Sequence, residues 1–314
     1  MIRRTIILIT AALTVMTAQA DSEGPRNFRH AKVLAKNHVF FDREQSELGT
    51  LYCGCDWKFR GESGGVVDKA SCGYETRKNE VRASRIEYEH IMPISNIGRS
   101  LQCWQNGGRK NCQAKDPVFN KIEANLHNLD IAIGEVNADR SNYLFGQFTK
   151  QKATQYGQCD VHVDFKNRQA QPREEVRGII ARTYLLMHDL YDIRPSNQQL
   201  RLLETWHATY PVSEWEAERD RRIASIMGYN NPYVLDPSLR YKDRPAQDIK
   251  VVSGQETLTD VAGFQSVKGN KRSKIYHLSV GCPSFSSVSE HNAVSFDTEE
   301  EAIEAGFKKA GNCI

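Results

Sequence analysis

Eight cysteines constrain this chain more than any other feature, because each bridge pins two distant backbone points within a few ångströms. They are Cys53, Cys55, Cys72, Cys103, Cys112, Cys159, Cys282 and Cys313, and all lie beyond the opening segment MIRRTIILITAALTVMTAQA. That segment has the layout of a secretory signal: Arg3 and Arg4, an apolar stretch from Thr5 to Val15, then Ala18-Gln19-Ala20. Cleavage is expected after Ala20. The stretch falls short of the roughly 20 apolar residues that cross a bilayer, and no other segment is longer and as apolar. No membrane association is expected, and the mature chain belongs in the periplasm or outside the cell. An even cysteine count in an exported chain reads as disulfides before zinc, and no paired C-x-x-C motifs occur. Cys103 and Cys112 flank WQNGGRKN and are expected to form a local clip. The other four in the first part of the chain can pair in three ways.

Charge says little about partners. The chain has 42 Lys+Arg against 39 Asp+Glu, and removal of the signal takes away two arginines. A broad basic surface is therefore not required, and phosphate contacts would come from local clusters. The length suits two domains. NNPYVLDPSLRYKDRPAQD, rich in proline and charge, suggests a break. The expected division is a signal over 1–20, a large domain over 21–236, a linker over 237–267 and a small domain over 268–314.

Several helices are legible. In PREEVRGIIARTYLLMHDLY, Val176, Ile179, Ile180, Tyr184 and Met187 recur at helical spacing, with charges expected opposite. Ser196-Asn-Gln-Gln199 and Ser213-Glu-Trp-Glu216 fit capping boxes opening helices over about 196–209 and 213–227. NFRHAKVLAKNHVFF is a shorter helix candidate. His188 and His207 read as structural or exposed. RIEYEHIM is β-prone and sets Ile86 and Tyr88 against Glu87 and Glu89. NLHNLDIAI is a second strand, and GEVNADRSNYLFGQF then reads as a helix with Val136, Leu144 and Phe148 on its apolar side. The order is strand, long cysteine-bearing excursion, strand, helix.

A histidine near neutrality suits proton transfer, and a hard cation is satisfied by oxygen ligands such as one carboxylate and one amide. On a regular strand, Glu89 and His90 face opposite ways. They are expected to converge where the strand breaks, near Pro93. By itself a Glu-His dipeptide is weak support for a site.

RIEYEHIMP, LQCWQNGGRKNC, KDPVFNKIEANLHNL and GEVNADRSNY, in that order, resemble the bacterial endonuclease I family of periplasmic and secreted nucleases. YCGCDW, SCGY, YGQCDVHVDFK and WEAERDRRIA…NNPYV add to the likeness, which runs from about Asn27 to Asp236. The resemblance implies an α+β fold holding a ββα-metal (His-Me finger) motif. It also implies cleavage of DNA, and of RNA, with little sequence preference, using Mg²⁺ or another divalent cation such as Mn²⁺ or Ca²⁺. Carried over by motif, His90 matches the general base, Glu89 and Asn137 the metal ligands, and Arg109 the arginine that steadies the phosphate. Asn128 matches a supporting residue that shapes the hairpin bearing the histidine. A monomer is expected. Tyr88 stands where tryptophan is usual, and IMPIS replaces a more typical VVPAW. These departures bear on rate and substrate preference. The competing reading is a catalytically silent, secreted nucleic-acid-binding protein.

Two motifs are expected to be decoys. Gly61-Glu-Ser-Gly-Gly65 matches G-x-S-x-G but lacks the preceding apolar strand and following helix that a nucleophilic serine needs. Glu290-His291 sits in a polar loop. GNKRSKIYHLSVGCPSF…AVSFDTEEEAIEAGFKKAGNC resembles the small metal-binding domain at the start of Ada DNA-repair proteins. Only Cys282 and Cys313 remain of the four zinc cysteines, so a disulfide is the simpler expectation and zinc on Cys282, Cys313 and His277 the alternative. The run from Lys268 to Lys274 offers contacts to phosphate or is a solvated linker.

Overall fold

The computed structural model describes residues 24–149, 153–241 and 267–311, apart from 279–281, 283, 286 and 297–298, together with Cys313. The expected signal sequence and most of the expected linker lie outside the described residues.

The chain begins with α1 (Phe28–Leu34), capped by the Asn27 side chain accepting from His30 N, and runs on into a π-helical turn over Ala35–Val39. A hairpin of β1 (Trp57–Arg60) and β2 (Gly64–Val67) follows. Its turn contains Ser63, so the G-x-S-x-G match is a hairpin turn as expected of a decoy. After α2 (Glu80–Ala83) comes β3 (Ile86–His90), then the excursion of α3 (Ile94–Gly98), α4 (Gln102–Gln105), α5 (Gly108–Lys115) and α6 (Pro117–Glu123). The chain returns as β4 (Leu129–Ile133), antiparallel to β3 with Glu89 opposite Asp130, and turns at once into α7 (Gly134–Arg140). Gly134 makes that abrupt turn possible, since a Cβ there would lie 2.7 Å from the Arg82 carbonyl oxygen. This is the ββα unit.

The helix read over GEVNADRSNYLFGQF is shorter than expected. It ends at Arg140, because Ser141 takes a positive φ of 52°. Leu144 and Phe145 form β5 (Leu144–Phe145) instead, joined to β7 (Gln169–Gln171), which also pairs with β6 (His162–Asp164). Val136 is buried as expected, whereas Leu144 and Phe148 are exposed.

Next come α8 (Arg177–Tyr191), α9 (Asn197–Thr209), α10 (Glu214–Met227) and α11 (Pro232–Leu235). The expected charged face of α8 does not exist: every residue from Arg177 to His188 is buried. Burial of its arginines is met by distant partners, Arg182 with the Glu216 carboxylate at 2.5 Å and Arg177 with the Tyr210 hydroxyl at 2.8 Å. Ser196 and Ser213 cap α9 and α10 through the amides of Gln199 and Glu216. The reciprocal half of each capping box is missing, because Glu216 is held by Arg182 and Gln199 reaches the Phe145 carbonyl. His188 and His207 are both buried and serve structure, His188 through the Ile193 carbonyl and His207 through that of Leu239. Leu239 and Tyr241 pack on the same core.

A separate four-stranded sheet closes the chain: β8 (Val267–Asn270), β9 (Ile275–Leu278), β10 (Ala293–Phe296) and β11 (Lys308–Lys309), in the order β10-β8-β9-β11. With α12 (Glu299–Glu304) it encloses its own core of Val267, Tyr276, Leu278, Cys282, Ala302 and Phe307. Glu290-His291 falls in a 3₁₀ turn with His291 exposed.

All eight cysteines are paired. Cys103–Cys112 and Cys282–Cys313 form as expected, and the open choice among the other four is settled as Cys53–Cys159 and Cys55–Cys72. Loop-closure entropy ranks these bridges. Cys53–Cys159 spans 106 residues and Cys103–Cys112 spans 9. Serine replacement of the first pair is expected to cost about 5 kcal/mol and of the second about 3 kcal/mol, read as urea midpoints. Burial lowers the His188 imidazole from its ordinary 6.5 to about 4. Its folded-state pKa is depressed, so its contribution is intact above pH 6.5 and is lost as pH falls towards 4. Urea midpoints should therefore drop across that interval, and His188→Gln should drop less.

Candidate active site

The ββα unit lines a cleft of about 710 Å³ that includes Glu87, Glu89, His90, Arg109 and Asn137. Five consecutive residues of β3, from Ile86 to His90, reach it from both faces of the strand. β3 stays paired through His90 opposite Leu129 and then breaks as expected, with bends at Ile91 and Met92 before Pro93 caps α3, so Glu89 and His90 line the cleft as the last two residues of the strand.

His90 is buried, and its Nε2–H donates to the Glu123 carbonyl at 2.9 Å. A carbonyl only accepts, so the proton of the neutral ring sits on Nε2 and Nδ1 is left as the acceptor. Burial lowers the imidazole to about 3, with the Arg109 and Arg140 charges adding to the effect. The Phe28 ring packs against it with centroids 4.8 Å apart.

Glu89 is buried, and its Oε1 accepts from the Tyr52 hydroxyl at 2.6 Å and from Arg140 Nη1 at 2.9 Å. Burial raises its carboxyl to about 7, opposed chiefly by Arg140. Oε2 takes no hydrogen bond among the described residues. Asn137, on the first turns of α7, donates from Nδ2 to Glu87 Oε2 at 3.1 Å, which leaves its Oδ1 unused. Two oxygens without protein donors, one anionic and one amide, match the oxygen-only ligands that a hard cation prefers.

Arg109 projects from the first turn of α5, three residues before the Cys103–Cys112 bridge. Its Nε donates to Glu123 Oε1, and its guanidinium lies 5.3 Å from the Phe28 ring centroid. Its side chain is 42% exposed, and its two Nη groups have no hydrogen-bond partner among the described residues. They form a planar fork of donors open to the cleft. Asn128 does not line the cleft. Its Oδ1 accepts from Met92 N at 2.7 Å and its Nδ2 donates to the Met92 carbonyl at 2.9 Å, clamping the chain just after His90. This clamp acts on the backbone two residues beyond His90.

Three residues escaped the sequence reading. Glu87 lies beside Glu89 in the cleft, as period-two alternation already implied, and is ion-paired to Arg82 and Arg85. Glu123 is buried and serves three partners, its carbonyl holding His90 and its carboxylate holding Arg109 and Gln113. Arg140 has no solvent exposure and grips Glu89, the His90 and Ile91 carbonyls and the Tyr184 hydroxyl. Nothing local marks Glu123 or Arg140, because their partners lie far along the chain.

Residues 28–238 match the family model for Endonuclease I. The chain belongs to that family. An extracellular deoxyribonuclease of Aeromonas hydrophila is 46% identical over 232 residues, covering 74% of this chain and 97% of the relative. A periplasmic deoxyribonuclease of the same organism is 50% identical over 191 residues, 60% of this chain and 79% of the relative. An endonuclease-1 of Buchnera aphidicola subsp. Baizongia pistaciae is 45% identical over 212 residues, 67% of this chain and 83% of the relative. Of the positions that depart from the expected pattern, Ile91 and Met92 are fully buried, whereas Tyr88, Ile94 and Ser95 line the cleft.

The C-terminal sheet brings His277, Cys282 and Cys313 together with their ligand atoms within 4.8 Å of one another. Both sulfurs are taken up in the disulfide, so the bridge, not the zinc alternative, is what the structure contains.

Removing Arg140 tests how Glu89 is held. Arg140→Met leaves a buried carboxylate without its cation and should lower the unfolding free energy by about 3–5 kcal/mol in urea titration. Arg140→Lys keeps the charge but not the fork, and should recover only part of that loss.

Proposed function

We propose that this member of the Endonuclease I family is an exported endonuclease hydrolysing phosphodiester bonds of DNA, and of RNA as well, with little sequence preference. It acts in the periplasm or the medium as a monomer. The observation that carries this reading is the fixed His90 ring, whose Nε2–H is committed to the Glu123 carbonyl, leaving Nδ1 as the acceptor of a ring that lines the cleft together with Glu89. The names of the extracellular and periplasmic deoxyribonucleases it resembles support the substrate and the compartment.

His90 Nδ1 takes the proton of the attacking water, a task for a ring that is neutral at working pH. Glu89 Oε2 and Asn137 Oδ1 would hold one divalent cation, Mg²⁺ by preference and Mn²⁺ or Ca²⁺ as substitutes. When bound, such an ion offsets charge on the scissile phosphate and on the leaving oxygen. The Arg109 fork binds the phosphate oxygens during and after cleavage. Glu123 keeps His90 and Arg109 in register, while Tyr52 and Arg140 orient Glu89 and Asn128 fixes the turn behind the histidine.

Incubating supercoiled plasmid with the protein distinguishes this reading from a silent DNA-binding protein. Cleavage is expected with Mg²⁺ and none with EDTA, and His90→Ala should lose about 10²–10⁴-fold in rate. A protein that binds plasmid yet never cuts it with Mg²⁺ would contradict the proposal. Full activity in His90→Ala would remove the histidine from the base role.

A further inference from the structure

We infer that the C-terminal sheet carries a second, non-catalytic binding site for the phosphate backbone of DNA, formed by Lys271, Arg272, Lys274 and Lys308. The choice of occupant rests on the nuclease reading above; the charged surface does not.

Residues 267–314 contain six basic side chains and six acidic ones, so the segment is neutral as a whole. Its charges are nonetheless sorted by element. Lys268, Lys271, Arg272, Lys274, Lys308 and Lys309 lie on β8, the β8–β9 turn and β11. Glu299, Glu300, Glu301 and Glu304 lie on α12, and Glu290 precedes β10.

Strand pairing then gathers the cations. β11 runs parallel to β9 with Lys308 opposite Ile275, and Lys308 N donates to the Lys274 carbonyl at 2.9 Å. That places Lys308 against the turn holding Lys271, Arg272 and Lys274, and all four are exposed. Among the described residues none of the four has a carboxylate partner. Lys309, beside them, does: it pairs with Glu299 at 3.4 Å. Like charges on adjacent strand positions repel, and no carboxylate among the described residues neutralises these four.

The turn itself is built to present these side chains. Asn270 Oδ1 accepts from Arg272 N at 3.0 Å and Ser273 N at 3.2 Å, fixing the turn. Lys274 sits at a φ of 54°, a left-handed position that glycine or asparagine occupies at less cost. Its ammonium lies 4.4 Å from the Phe307 ring centroid, a cation–π contact that fixes where the charge sits while the residue stays exposed. A cluster of uncompensated cations on a fixed sheet edge suits an extended polyanion. A duplex supplies one charge per roughly 1.7 Å of axis. The family match stops at residue 238, so this second contact is added to the catalytic unit in sequence. A second attachment on the same polymer raises its effective concentration at the cleft without changing the chemistry.

The test uses the full chain. In a His90→Ala background with EDTA, binding to a long labelled duplex is followed by anisotropy across a salt series, with and without Lys271→Gln, Arg272→Gln, Lys274→Gln and Lys308→Gln together. Loss of four phosphate contacts should reduce the slope of log affinity against log salt by about 3.6, roughly 0.9 per contact. In the otherwise native chain, the same four changes should raise KM for plasmid at least about tenfold while leaving kcat unchanged, a loss of effective concentration only. Circular dichroism of the variant confirms an intact fold. An unchanged salt slope overturns the inference, as does patch-dependent binding to phosphatidylserine vesicles without any effect on DNA. A native chain with the patch-dependent slope that cuts nothing with Mg²⁺ would uphold this site and sink the nuclease reading instead.

Discussion

Arg140 is a guanidinium with no exposed surface, and an ion so placed is tolerated only if its donors are matched on nearly every side. Its Nη1 serves the Glu89 carboxylate and the His90 carbonyl, and its Nη2 serves the Ile91 carbonyl and the Tyr184 hydroxyl. These four partners belong to the end of β3, the turn beyond it and the central helix α8. One side chain on α7 thus ties the ββα unit to the helical body and sets the direction of the putting-together of Glu89 with its neighbours. Phe145 covers the guanidinium at 4.4 Å, which keeps water from competing for those bonds.

Glu123 is the corresponding joint on the other side of the cleft. Its carbonyl fixes the His90 tautomer and its carboxylate holds Arg109 by Nε, leaving both Nη groups open. The His90 ring and the Arg109 fork therefore share a single support at the end of α6. The Cys103–Cys112 bridge stiffens the α4–α5 turn from which Arg109 springs. The excursion between β3 and β4 is in this sense not an insertion but the second wall of the site. Arg140 holds Glu89 on one side, and Glu123 holds His90 and Arg109 on the other.

Much of this frame was legible in the chain, and the parts that were not share a cause. The strands β3 and β4 and the starts of α9 and α10 follow from alternation and capping serines, which are local signals. Family motifs singled out Glu89, His90, Arg109 and Asn137, a set that no spacing rule would have assembled. What failed was long-range. The arginines of α8 were expected in solvent because their partners, such as Glu216, lie more than thirty residues on. The end of α7 was overrun because the polar run after Arg140 still reads as helix, while the positive φ at Ser141 is imposed by the turn into β5. Glu123 and Arg140 carry no local signal either, because His90 and Glu89, which they hold, lie 33 and 51 residues away. The pairing of Cys53 with Cys159 likewise needed the fold, since 106 residues separate them.

The central claim is that His90 is held as a neutral ring with its proton on Nε2, aimed by the Glu123 carbonyl. Nitrogen-15 NMR of ring-labelled histidine, read at neutral pH, tests this most directly. The account predicts a protonated Nε2 and an unprotonated Nδ1 for the resonance that disappears in His90→Ala. A protonated Nδ1, or a ring exchanging between both tautomers, would contradict it.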